Sequence, residues 1–193
     1  MKKIIVVTAI FVAFGLVTSV SAETITGFFY ASGPNRPSYV AQGSDTVTPE
    51  KGWTFLKPKK DHEDFNAIRL GMFSKSDPAN YKWWNICLQM PEDQRLKKGN
   101  YVGHRFPFQG KNYAGFDWSG NGRGSNTSTS YFDILEVQYS PDGKEIVAIA
   151  VDFVQFEETC NKGDVDTAVD RWAHGSFRYN SSIPIHTKDI LSE

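Results

Sequence analysis

The chain has little of what usually gives a chemistry away. It carries two cysteines and four histidines in 193 residues. None of His62, His104, His174 and His186 lies three or four residues from another histidine or a cysteine, so no metal-ligand spacing is present and no metal site or cofactor is expected. No C-x-x-C pair marks a redox centre. Ser125 sits in Arg-Gly-Ser-Asn rather than in a nucleophile elbow, with no histidine beside it. Basic residues are not in excess: 21 Lys and Arg stand against 22 Asp and Glu. The nearest basic cluster, Lys57-Pro58-Lys59-Lys60, is followed at once by Asp61, Glu63 and Asp64 and reads as a solvated turn. A nucleic-acid partner, which requires a concentrated basic footprint, is therefore not expected. Helical periodicity is scarce, and beyond the N-terminus no apolar run is long enough to span a bilayer.

What is present begins with the first 22 residues. Lys2 and Lys3 form a positive start, Ile4 to Val17 an apolar stretch, and Val20-Ser21-Ala22 a small-residue cleavage site. This is the pattern of a signal peptide, and the expectation is an exported protein, periplasmic or secreted, that begins at Glu23. The remaining 171 residues, with net charge −3 once Lys2 and Lys3 are removed, suit one domain with one core. In an oxidising compartment, Cys87 and Cys160 are most simply one disulfide. Closing a loop of 73 residue steps would contribute about 4 kcal/mol by chain entropy.

Period-two alternation recurs along this mature chain. In Lys82 to Met90, Trp84, Ile86, Leu88 and Met90 share one face, and Trp83, Asn85, Cys87 and Gln89 the other. Asn66 to Phe73 behaves alike. Tyr131 to Tyr139 and Glu145 to Glu158 flank Ser140-Pro141-Asp142-Gly143-Lys144, a strong hairpin signal. The second arm is apolar on both faces and reads as a central, bulged strand. Shorter candidates are Thr24 to Tyr30, Trp53 to Lys57, Tyr101 to Phe106 and Trp172 to Tyr179, with a weak helix over Asp164 to Arg171 and a long surface excursion over residues 31–50. About eight strands, with 16 glycines and 9 prolines, point to an antiparallel sandwich or barrel. The expected fold is all-β: a single-domain antiparallel β-sandwich, jelly-roll-like or immunoglobulin-like, pinned by one disulfide.

Four features carry candidate chemistry. Gly120-Asn121-Gly122-Arg123-Gly124 could gather backbone N–H groups into an anion-holding nest, with Arg123 adding a fork for carboxylate or phosphate. The favoured reading is a tight turn whose arginine pairs with an acid such as Asp152 or Glu136. Trp83, on the polar face of its strand, and Trp118, placed in a glycine-flanked loop, are the candidates for a sugar-stacking platform, whereas Trp84, Phe153 and Phe177 read as core. Asp152, inside an apolar strand, pairs with Arg123 or Arg178. Asp152 and Glu158 are about 20 Å apart by strand rise and cannot act as a catalytic carboxylate pair along that strand.

From Gly99 onward a set of phrases occurs together: GNYVGHRFPFQ (residues 99–109), GNGRGSNT (120–127), AVDFVQ (150–155) and GSFRYNS (175–181). The set resembles a family of uncharacterised bacterial secreted or surface β-domains, over roughly half of the mature chain. The resemblance implies a β-domain outside the cytoplasm and no particular activity. The family's pattern has cysteines where this chain has Ser125 and Glu157. That implies a disulfide between those positions in relatives, replaced here by the Cys87–Cys160 pair.

The leading functional expectation is a secreted, non-catalytic binding or interaction module, its ligand a glycan or another surface component, with Arg123, Asn121, Trp118 and Trp83 as ligand-binding candidates. The alternatives are a hydrolase assembled from distant residues such as Asp152, Arg123 and His104, and an assembly protein acting through a sheet edge.

Overall fold

The computed structural model describes residues 23–60, 66–74, 81–91, 94–107, 110, 112–157 and 171–188. The expected signal peptide, Glu158, Cys160 and all but the last residue of the helix expected over Asp164 to Arg171 lie outside these residues; Arg171 itself opens a strand. The described chain is all-β. Its strands are β1 (Ile25–Ser32), β2 (Ser44–Val47), β3 (Trp53–Phe55), β4 (Lys59–Lys60), β5 (Ala67–Ser74), β6 (Lys82–Gln89), β7 (Gly99–Arg105), β8 (Ala114–Gly120), β9 (Ser128–Tyr139), β10 (Ile146–Glu157) and β11 (Arg171–Ser181), with one 3₁₀ turn at Pro49–Lys51. No helix among the described residues is long and apolar enough to cross a membrane.

The expected sandwich is corrected to a single sheet that curls almost into a barrel. Hydrogen-bonded ladders run without interruption in the order β2-β1-β11-β10-β9-β7-β8-β6-β5-β3, with β4 added beside β5. A sandwich would divide these strands between two separately bonded sheets. Here the two ends of the order, β2 and β3, are consecutive in sequence and joined through the Pro49–Lys51 turn, so the connection carries the curl round on itself. Every ladder is antiparallel except β7 with β8.

Alternation along the strands sends one side chain in two to the interior. Phe28, Ile68, Leu70, Met72, Ile86, Leu88, Phe116, Trp118, Phe132, Ile134, Ile149, Val151, Phe153 and Phe177 are all buried there. Rings fill most of the centre, Trp118 meeting Phe28 edge-on at 5.6 Å and Phe153 at 5.2 Å. Trp84, Phe153 and Phe177 join this core as their alternation implies. The β9–β10 hairpin forms at the expected turn, where Gly143 takes φ 70° and donates to the Ser140 carbonyl at 2.8 Å. The register of β10 against β9 shifts between Ile146 and Ala148 and between Ala150 and Val151, the irregularity expected of that arm.

β10 is buried on both faces because its outer face is covered as well. Arg178 of β11, fully buried, donates to Asp152 at 2.7 Å and to the carbonyls of Ile183 and Pro184 at 3.1 and 3.0 Å. His186 N–H donates to Ser176 Oγ at 2.8 Å. The segment after β11 is thereby strapped across the outside of the wall. Of the two arginines proposed for Asp152, Arg178 is the one that takes it.

The bridge expected between Cys87 and Cys160 is not supported. Cys87 carries no disulfide. It is buried on the outward face of β6, opposite Arg69 of β5 and Asp117 of β8.

Candidate functional site

At one end of the barrel several connections meet. There β1 ends, residues 33–43 cross the opening, β2 and β6 begin, and β8 turns back after Gly120. The excursion expected over residues 31–50 thus divides into this crossing loop and β2, and the loop does not simply lie in solvent. Ser38, Val40 and Ala41 are buried. What fastens them is Glu157, the last residue of β10, itself 5 % exposed. Its carboxylate accepts from the Ser38 hydroxyl, from Tyr39 N–H at 2.6 Å and from Val40 N–H at 3.0 Å. Ser38 Oγ in turn accepts from Ala41 N–H at 2.9 Å. A buried carboxylate is tolerated where donors surround it, and this loop supplies them.

Below the loop, Gln155 completes the wall. β7 pairs with β8 only as far as Phe116, which leaves the peptide groups of Trp118 without a neighbouring strand on that side. The Gln155 carboxamide takes that strand's place, accepting from Trp118 N–H at 2.9 Å and donating to Trp118 C=O at 3.2 Å.

At the mouth lies a pocket of about 270 Å³. Tyr30, Trp53 and Trp84 supply its aromatic surface, and Val40 and Gln42 of the crossing loop one side; Asp45, Lys82, Asn121 and Arg123 complete it. Trp84 is 3 % exposed, a core residue whose ring also floors the pocket, and it lies 5.1 Å from the Tyr30 ring. Burial, and then the Asp45 charge, hold the Tyr30 phenol above its ordinary range, so it remains a hydroxyl donor at neutral pH. Asp45 is engaged by Lys51 at 3.5 Å.

The Gly120–Gly124 segment resolves into the tight turn. Asn121 and Gly122 both have positive φ, 52° and 77°, the pair that a two-residue type I′ connection requires. Gly120 N–H donates to Arg123 C=O at 2.9 Å and Arg123 N–H to Gly120 C=O at 2.8 Å, while Asn121 N–H donates to Trp83 C=O at 3.1 Å. Those three amides are thereby taken up within the turn and its strand neighbour. The arginine pairs with neither Asp152 nor Glu136: it donates to the Tyr39 carbonyl at 3.3 Å and stands 5.4 Å from the Tyr39 ring centroid.

Of the four ligand-binding candidates, Arg123 and Asn121 line the pocket. Trp118 does not present a platform. It belongs to β8, not a loop, and is fully buried among Phe28, Trp84 and Phe153 because it falls on the inward phase of that strand. Trp83, half-buried on the outward phase of β6, lines a separate shallow groove with Leu56, Phe73 and Tyr81. Sequence reading missed Tyr30, Trp53, Lys82 and Asp45, which reach the pocket from β1, β3, β6 and β2. The available signal was Asn121-Gly122, which fixes where β8 turns back and hence which strand starts stand beside it.

The residues offered for a hydrolase are not brought together. Asp152 faces outward into Arg178, Arg123 lies against Tyr39, and His104 packs against Tyr113 at 4.9 Å. Among the described residues no group of three or more His, Cys, Asp and Glu could hold a metal ion. Compared with known proteins, the chain matches no family model, no curated protein and no solved structure.

Proposed function

We propose that this chain is an exported binding module whose ligand sits in the mouth of the barrel, and that it belongs with the secreted bacterial β-domains its Gly99–Ser181 phrases resemble. The observation that carries the reading is the composition of the pocket. Three aromatic rings from three different strands meet two cations, a carboxylate and two amides at one end of the barrel. Polar groups converging beside aromatic rings in a concavity can fix a small ligand's orientation. Its one carboxylate stands paired with a lysine, without the second carboxylate or the nucleophile and base that hydrolysis requires. A glycan suits this surface, since sugar C–H faces pack on aromatic rings while hydroxyls meet amides and carboxylates. The edge-pairing alternative has less support, because the end strands β2 and β3 are four and three residues long.

The test is a glycan array probed with residues 23–193 and with Arg123→Ala, Trp53→Ala and Trp83→Ala variants. Saturable binding abolished by Arg123→Ala and Trp53→Ala but kept by Trp83→Ala supports the mouth as the site. Binding that survives the first two variants refutes it.

A further inference from the structure

The charges at the mouth are unevenly matched. Lys82, at the start of β6, makes no ion pair among the described residues, and both contacts of the Arg123 guanidinium are with Tyr39, which is neutral. The single carboxylate of the pocket, Asp45, is already engaged by Lys51. Two uncompensated cations therefore share a partly enclosed cavity whose low-dielectric aromatic wall strengthens their field.

The geometry narrows the anion further. A tetrahedral phosphate is ordinarily cradled by converging backbone N–H groups. At this turn the N–H groups of Gly120, Asn121 and Arg123 are all taken by carbonyls. The side chains that the pocket offers an anion are an arginine fork and a lysine, which match the two oxygens of a planar carboxylate. The volume, about 270 Å³, falls just under the roughly 300 Å³ at which drug-sized sites begin, so it admits one ring. Gln42 and Asp45 are placed to meet hydroxyl groups, which a sugar has and a simple aromatic acid lacks.

We infer that the pocket takes a carboxylated sugar ring of the hexuronic-acid class, its carboxylate held by Lys82 and Arg123 and its C–H face laid on Trp53 and Tyr30. The inference rests on the mouth being a binding site. The preference for the acid over the neutral sugar comes from charge-assisted hydrogen bonds and should therefore reach at least about tenfold in affinity.

The experiment is a calorimetric titration of residues 23–193 with methyl β-glucuronide, methyl β-glucoside and a sulfated glucoside. Uronide binding at least about tenfold tighter than glucoside, weakening as salt rises and losing its preference in Lys82→Ala and Arg123→Ala, is the expected result. Equal binding of uronide and glucoside overturns the acidic ligand and leaves the binding module standing. A sulfated sugar that binds more tightly than the uronide overturns the carboxylate. Uronide binding indifferent to both cation variants overturns the site. If none of the three binds while the array finds another glycan lost in Arg123→Ala, the ligand class is wrong and the module survives; if the array is also blank, both fall.

Discussion

Replacing Glu157 by glutamine tests the fastening of the crossing loop. The carboxylate accepts three hydrogen bonds, from the Ser38 hydroxyl and the N–H groups of Tyr39 and Val40. Glutamine has nearly the same shape but a single acceptor oxygen, and its NH₂ would face a donor. The variant thus loses at least one charge-assisted bond, roughly 1.5–3 kcal/mol, and acquires a donor–donor contact in a buried place. Removing the charge also relieves the desolvation that burying it cost, so a net loss reports on the donors and not on the charge alone. The expected outcome is a loss of about 2–4 kcal/mol. Because Val40 and Gln42 line the pocket, the loss should appear first as opening of this loop. Amide exchange at Tyr39 and Val40 should accelerate about 30-fold for every 2 kcal/mol, and urea unfolding should report whatever part of the change is global. Stability within about 0.5 kcal/mol of the parent, together with unchanged exchange at those amides, would refute the reasoning.

Four further outcomes are expected. Arg178→Met strands Asp152 and two carbonyls beneath the C-terminal strap, and should cost about 3–5 kcal/mol in urea unfolding; a cost under about 1 kcal/mol would mean that water replaces the guanidinium. Gly120→Ala would drive a Cβ into the Trp84 ring and the Trp83 carbonyl, so it should displace that ring, change the near-UV circular dichroism and destabilise by about 1–3 kcal/mol. Burial, opposed by Arg105, raises the Asp117 carboxyl above its ordinary 3.8. The stability it contributes is present below that value and lost as pH rises through the raised one, so Asp117→Asn should gain on the parent between acid and neutral unfolding curves, and parallel curves would count against the burial. Finally, denatured but unreduced protein should titrate with two thiols per chain, whereas none would restore the bridge.

Much of the fold was legible because alternation is local. β5 and β6 were marked by period-two patterning, β9 and β10 by the hairpin turn between two apolar runs, and β11 as a shorter candidate. β8 was not, since Ala114-Gly-Phe-Asp-Trp-Ser-Gly120 has the glycines and the aspartate of a loop, and its inward series Ala114, Phe116, Trp118 is only three residues long. That omission moved Trp118 from the core to an imagined surface. The choice of barrel over sandwich was not legible, because it depends on β7 lying parallel to β8 and on β6 entering between β8 and β5, pairings between residues far apart in sequence. The pocket divides in the same way. Asn121 and Arg123 could be read from a turn motif, whereas Tyr30, Asp45, Trp53, Lys82 and Trp84 become neighbours only when the sheet curls. Glu157 was read as the place of a lost cysteine; nothing in its own neighbourhood announces that residues 38–40 wrap it.

The join between β2 and β3 gives the barrel the mechanics of a split ring. Among the described residues no ladder pairs those strands; the backbone holds them together through Thr48–Gly52. Asp45 lies on one side of this gap and Trp53 on the other, and both border the pocket. A change of girth there breaks no ladder bond, so the width of the mouth is the softest dimension of an otherwise continuously bonded wall. A molecule gripped from both sides would act as the clasp, trading part of its binding energy for closure of the ring.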